Sequence, residues 1–176
     1  MRKRDAITDL ILETFRLNGC LLMAGDALVA DIGLTSARWQ VLGAIALSPI
    51  PLPVAHIARN MGLTRQAVQR LVNEMEGDGL VSFEPNPHHQ RAKLVLLTPR
   101  GKAAYDAAMK RQGPWASSLS SGLSIEQVEA ATETLRVIRQ CVEGSSRQRK
   151  AMPERIRPTM GDDQPTRLRT SLPCTR

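Results

Sequence analysis

The sequence predicts a mainly α-helical fold with one small β-hairpin. Three observations carry that expectation. Apolar residues recur at helical spacing along most of residues 1–143. Two short runs rich in β-formers, residues 79–84 and 92–97, flank a connection containing Pro85 and Pro87, as strands of a hairpin would. Residues 144–176 then turn to Ser, Arg, Pro, Asp and Thr with few large apolar side chains, and read as a basic, disordered tail.

The first helix is expected over about residues 5–30. Ile7, Leu10, Ile11, Phe15, Leu22 and Met23 give it an apolar stripe, which Gly19 weakens without ending. A second helix opens at Thr35, whose hydroxyl can cap the first amides while Leu34 packs on Trp39. It runs through Val41, Leu42, Ile45 and Ala46 until Pro49, Pro51 and Pro53 stop helical propagation.

Residues 54–71 predict a helix-turn-helix. Two helices crossing steeply need a small residue at the crossing, which Ala58 supplies. The turn needs a left-handed backbone, which Gly62 adopts cheaply. Leu63 is expected to plug the corner and Thr64 to cap the second helix. That helix divides into two faces. Ala67, Val68, Leu71, Val72 and Met75 form one apolar stripe. Arg65, Gln66, Gln69, Arg70 and Asn73 repeat the spacing on another side, with no carboxylate among them. Arg pairs bidentately with guanine, and Gln or Asn with adenine, in the major groove of duplex DNA. Thr64, Arg65, Gln66, Gln69, Arg70 and Asn73 are therefore the candidate DNA contacts. Arg65, Gln66 and Gln69 are the expected base readers, while Arg70 and Asn73 could equally hold phosphates. Glu74, Glu76 and Asp78 fall at the far end of the helix, away from the end that enters a groove.

A hairpin directly after such a helix is a wing, which makes residues 34–98 a winged helix-turn-helix. Arg91 at its tip and Lys93 beside it are the candidate wing contacts, Arg91 with the minor groove. His88 and His89 lack further ligands in sequence and read as solvated loop residues. Two more helices follow, from Thr98 to about residue 118 and from Ser124 to Glu143. Thr98-Pro99 is a helix start, and Ser124-Ile125-Glu126-Gln127 fits a capping box. Gly113-Pro114 is expected to kink or break the chain between them.

Composition narrows the function. The chain of 176 residues carries a formal charge of +7, which points to an acidic partner. Most of that excess lies in residues 144–176, with eight Arg/Lys against three Asp/Glu. Only 3% of the residues are aromatic, too few for the stacking platforms of a single-strand binder. Cys20, Cys141 and Cys174 are widely spaced and odd in number, giving neither a disulfide framework nor a zinc spacing. There is no Gly-rich phosphate loop, no metal cluster and no nucleophile–base spacing, so neither an enzyme nor a cofactor is expected. Asp5, Asp9 and Glu13 interrupt any signal-like apolar run, and the expected compartment is the cytoplasm.

At this point the sequence resembles the MarR family of multiple-antibiotic-resistance regulators. The motifs are Leu34-Thr35-Ser36-Ala37-Arg38-Trp39-Gln40-Val41-Leu42, the helix-turn-helix, Asp78-Gly79-Leu80-Val81 and Leu97-Thr98-Pro99-Arg100-Gly101. The family often has an Asp two residues before the wing-tip Arg; here His89 stands there, so that brace is missing. The resemblance implies a homodimer, with residues 5–33 and 99–143 as dimerisation helices around the lobe of residues 34–98. It also implies a transcriptional repressor on a pseudo-palindromic operator, released by a small aromatic or phenolic acid. Met23, Arg38 and Trp39 are near where that ligand would bind, although core packing or a surface charge explains each of them too.

Two rival readings use other features. Cys20 lies not far from where peroxide-sensing relatives keep a reactive thiol, which would make the chain a redox sensor of the same fold. Tyr105 is the only tyrosine available to engage it, and a thiol in an apolar helix is buried and inert by default. A non-specific nucleic-acid binder driven by the basic tail is the other. It predicts equal affinity for unrelated sequences and loss of binding on truncation at Gly144.

Overall fold

The computed structural model describes residues 2–87, 89 and 91–151, with side chains through 145. Met1, His88, Gln90 and residues 152–176 lie outside it, and with them the readings of His88, Cys174 and the tail beyond Ala151. The elements in order are α1 (Lys3–Val29), α2 (Ser36–Ala46), β1 (Leu52–Pro53), α3 (Val54–Met61), α4 (Arg65–Gly77), β2 (Val81–Glu84), β3 (Leu94–Leu97), α5 (Pro99–Leu119) and α6 (Ile125–Ala151). A 3₁₀ turn, Ala30–Ile32, joins α1 to α2. The chain divides into two compact units, one ending at Ser121 and the other beginning at Gly122.

In the first unit the expected caps form. Thr35 Oγ1 accepts from the Arg38 amide at 3.3 Å, Thr64 Oγ1 from the Ala67 amide at 3.2 Å and Thr98 Oγ1 from the Gly101 amide at 3.0 Å. One further cap is long-range. Asp26, on α1, accepts from the Ser36 amide at 2.6 Å, placing a carboxylate at the positive end of α2. The Ser36 hydroxyl donates to the Leu22 carbonyl at 2.7 Å, and a Cβ on Gly25 would lie 2.5 Å from that hydroxyl. A glycine at 25 therefore lets α1 and α2 approach closely.

The core lies between α2, α3, α4 and the sheet. Val41, Leu42, Ile57, Val68, Val72, Met75 and Val95 are fully buried there, with Val29 from the end of α1 and Ala108 from α5. The sheet has the order β1-β3-β2, all antiparallel. Phe83 pairs with Val95 and Val81 with Leu97, while β1 adds Leu52 opposite Val95 on the other edge of β3. β1 was not expected from sequence: a leucine and a proline have no local strand signal, and only their partner on β3 makes them one.

Where α5 begins, the chain packs against the turn after α4. Thr98 Oγ1 donates to the Gly79 carbonyl at 2.7 Å, and Arg100 Nη1 donates to the Asp78 carbonyl at 2.7 Å. A Cβ on Gly101 would stand 1.9 Å from the Leu80 carbonyl oxygen, so only glycine fits that crossing. Further along, Arg111 pairs with Asp31 at 2.5 Å, and this guanidinium holds the Asp31 carboxyl below its ordinary range.

Three expectations are corrected. Leu63 does not plug the corner of the turn: it is 49% exposed. Pro114 does not break the chain, because α5 continues through it to Leu119. The break falls after Ser121, where Gly122 has φ 89°. In the second unit, α6 does not end at Glu143 but continues to Ala151; polarity alone does not stop a helix that lacks Gly or Pro beyond Gly144. The capping box at its start is present, with Ser124 N donating to Gln127 Oε1 at 2.9 Å and Gln127 N donating to Ser124 Oγ at 3.3 Å.

Candidate nucleic-acid interface

The α3–turn–α4 unit is set by one left-handed residue. Gly62 has φ 66°, and the Leu63 amide donates to the Ala58 carbonyl at 2.9 Å, which closes α3 and turns the chain into α4. The apolar face of α4 is then sealed: Val68, Val72 and Met75 have no exposed surface. Burying that face forces the opposite one outward. Arg65, Gln66, Arg70 and Asn73 are exposed and Gln69 half-exposed, as the spacing required.

Four of these side chains, Arg65, Gln66, Gln69 and Arg70, line a shallow depression on the outer surface of α4. A second groove, about 690 Å³, runs between α4 and the wing. Arg65, Gln69 and Asn73 line one wall, and Arg91 and Lys93 line the other. Positions about 25 residues apart in sequence are thus brought to one surface. Gln69 Nε2 donates to Asn73 Oδ1 at 2.9 Å, which orders two amide side chains on neighbouring turns. Thr64 Oγ1 accepts the α4 cap bond, and its O–H is a donor on the same exposed end of the helix.

In the wing, Lys93 Nζ sits 5.7 Å from the centre of the Phe83 ring, a cation–π distance that holds the lysine along the hairpin. The connection is closed by backbone bonds: His89 N donates to the Asn86 carbonyl at 3.1 Å and Ala92 N to the His89 carbonyl at 3.0 Å. Arg91 lies within the second of these turns and is exposed. Within the described groove the surroundings of Arg91 come from α4, α3 and the hairpin, with His56 of α3 and His89 also on the lining.

The three carboxylates late in α4 divide between two surfaces. Glu76 lines the groove, whereas Glu74 and Asp78 turn toward α2. Glu76 is eleven residues on from Arg65, three helical turns, so it borders the end of the groove farthest from the N-terminus of α4. The signal was present in sequence, since Glu76 extends the Arg65–Gln69–Asn73 series by another turn.

The three ligand-site candidates serve different neighbours. Met23 is 68% exposed on α1, and Trp39 is half-buried against the core. Arg38 is engaged with Asp78 at 2.8 Å. Cys20 is exposed on α1, not buried as its helix suggested, because the apolar stripe of α1 is itself largely uncovered. Among the described residues no group of His, Cys, Asp and Glu is arranged to hold a metal, and no single helix is long and apolar enough to cross a membrane.

A helix-turn-helix with an outward cationic and amide face, followed by a hairpin that adds cations to the same surface, defines a winged-helix DNA-binding regulator. Comparison with known proteins agrees. The sequence model described as MarR family matches residues 32–92. An uncharacterised protein of Mycobacterium tuberculosis is 33% identical over 132 residues, covering 75% of this chain and 91% of that protein. The transcriptional activatory protein BadR of Rhodopseudomonas palustris is 33% identical over 97 residues, 52% of this chain and 55% of BadR. Among solved structures, CouR of Rhodococcus jostii RHA1 bound to p-coumaroyl-CoA superposes with a TM-score of 0.67 at 26% identity, covering 74% of this chain and 91% of CouR. The chain belongs to the MarR family of DNA-binding transcriptional regulators.

Proposed function

We propose that the chain acts as a homodimer on a pseudo-palindromic duplex operator, represses transcription there, and is released by a small aromatic or phenolic acid. Residues 34–98 are the reading lobe, and residues 5–33 and 99–143 supply the dimerisation helices. In this reading Arg65, Gln66 and Gln69 meet base edges. Thr64, Arg70, Asn73 and Lys93 hold the backbone, and Arg91 enters the adjacent minor groove.

The observation that carries the reading is the groove in which Arg65, Gln69 and Asn73 of α4 face Arg91 and Lys93 of the wing. Two-fold symmetry supports half-sites about 10 bp apart, roughly 34 Å. A dimer is supported by α1, where Phe15 is 70% exposed and Ile7, Ile11, Leu12, Leu21 and Leu22 are also uncovered. An aromatic acid, free or as an acyl thioester, is supported by CouR, whose structure holds p-coumaroyl-CoA. Such a ligand would act by favouring a spacing of the two recognition helices that the operator does not fit. BadR is named an activatory protein, so the sign of regulation is decided by a promoter reporter.

The test begins with duplexes selected from a random pool by the full chain. The selected site should be an inverted repeat, bound by two chains per duplex, and p-coumaric acid or its thioester should release it. Recovery of a single unpaired half-site bound by one chain would end the dimer reading. Indifference to a panel of aromatic acids and thioesters would end the ligand reading. Truncation at Gly144 should weaken binding modestly and keep the sequence preference; loss of all binding would instead favour the tail-driven alternative.

A further inference from the structure

Arg38, near the start of α2, reaches the far end of the recognition helix. Its Nη1 lies 2.8 Å from Asp78 Oδ2, and its Nη2 lies 4.0 Å from Glu74 Oε2. Asp78 is the residue that ends α4, its own amide donating to the Glu74 carbonyl at 3.0 Å. The Asp78 carbonyl accepts from Arg100 Nη1 of α5 at 2.7 Å. Two guanidiniums from two other helices thus close on the C-terminal end of α4, where the helix dipole is negative and cations are favoured. The Arg38 side chain is 22% exposed and that of Asp78 49%, so the guanidinium is held close to the protein while its partner stays open to solvent.

The anchorage continues away from DNA. α2, which carries Arg38, is fixed to α1 through the Ser36–Asp26 and Ser36–Leu22 hydrogen bonds. Arg100 follows Thr98, which is bonded to the turn after α4. The opposite end of α4, which carries Arg65 and Gln66, is fixed by the Gly62 turn and the Thr64 cap. With that end set by α3, the clamp at Asp78 sets the direction of the helix axis, so a small change there is carried to the base-reading side chains.

We propose that Arg38 is a positioning residue for DNA recognition: by clamping Asp78 and Glu74 to α2, it sets the angle at which α4 meets the major groove without itself touching DNA. This rests on α4 being the reading helix. Arg38 then belongs to the path between the α1–α2 pair and the operator rather than to a ligand pocket.

The experiment uses the full chain, its selected operator and a scrambled duplex of equal length. Arg38→Met keeps the length of the side chain and removes its charge. It should weaken operator binding about 3- to 30-fold, with scrambled-duplex affinity and the salt slope unchanged, because no phosphate contact is lost. Asp78→Asn should reproduce the loss, and the exchanged pair Arg38→Asp with Asp78→Arg should recover part of it. Circular dichroism of each variant checks that the folded fraction is intact, and Asp78→Asn carries the test if Arg38→Met does not fold. Unchanged operator affinity in both single variants would overturn the proposal. So would equal loss on both duplexes with a salt slope reduced by about 0.9, which would make Arg38 a phosphate contact. Failure of the wild-type chain to prefer any duplex is a different result, and would count against α4 as the reading helix.

Discussion

The recognition helix α4 and the first helix α1 both carry an apolar stripe, yet the structure treats them differently. In α4 the stripe is sealed: Val68, Val72 and Met75 are fully buried, and only the polar face meets solvent. In α1, of 27 residues, only Gly25 and Val29 are buried, and Phe15 and Met23 stand out in water. The lobe around α4 seals its own apolar stripe, whereas α1 leaves much of its stripe uncovered among the described residues. Stability and DNA reading should therefore reside in one region, and association in the other.

The largest effect should come from damaging the sealed side. Met75→Ala leaves a cavity beneath the recognition helix and should cost about 2–5 kcal/mol in urea unfolding. Phe15→Ala, by contrast, should shift the stability of dilute protein by less than about 0.5 kcal/mol while weakening self-association in sedimentation equilibrium. Equal losses of stability from the two substitutions would erase the comparison.

On the open face of α4, Arg65→Ala should cost about 1–3 kcal/mol at one base position and relax preference there, read by competition among single-base operator variants. A uniform loss across all variants would make Arg65 a phosphate contact. Arg91→Ala on the wing should weaken binding and lower the salt slope by about one, and an unchanged slope would place Arg91 away from the DNA.

The smallest effect concerns the Asp31–Arg111 pair that ties the end of α1 to α5. Arg111 depresses the Asp31 pKa, so the pair stabilises the fold above the ordinary carboxylate range, about pH 4, and that help is lost as pH falls through the lowered value. Asp31→Asn should make the acid-side decline in stability slightly shallower, measured as urea midpoints between pH 7 and pH 2.5. An identical decline would show that the pair contributes nothing.

The same contrast separates what the sequence made legible from what it did not. Gly62, Thr64, Thr98 and the Ser124–Gln127 box were readable because each acts on backbone groups within about four residues. The two faces of α4 were readable for a similar reason, since helical periodicity fixes which side chains share a side. What escaped depends on distant partners. β1 exists only through Leu94 and Val95, and Asp26 caps a helix ten residues ahead. Arg38 finds Asp78 forty residues away, which periodicity along α2 does not reveal. Exposure was misread at two positions. Leu63 and Cys20 had apolar settings and are open to solvent, because neither the corner nor the stripe around them is covered within the described chain.

The most direct measurement is the ratio of affinities for the selected operator and a scrambled duplex at fixed salt, taken for the wild-type chain and for the Arg65→Ala, Gln69→Ala double variant. The wild type should favour its operator by at least about 10³, and the double variant should fall most of the way toward the scrambled value while its fold remains intact. A ratio that survives the loss of both side chains would show that sequence is read from some other surface.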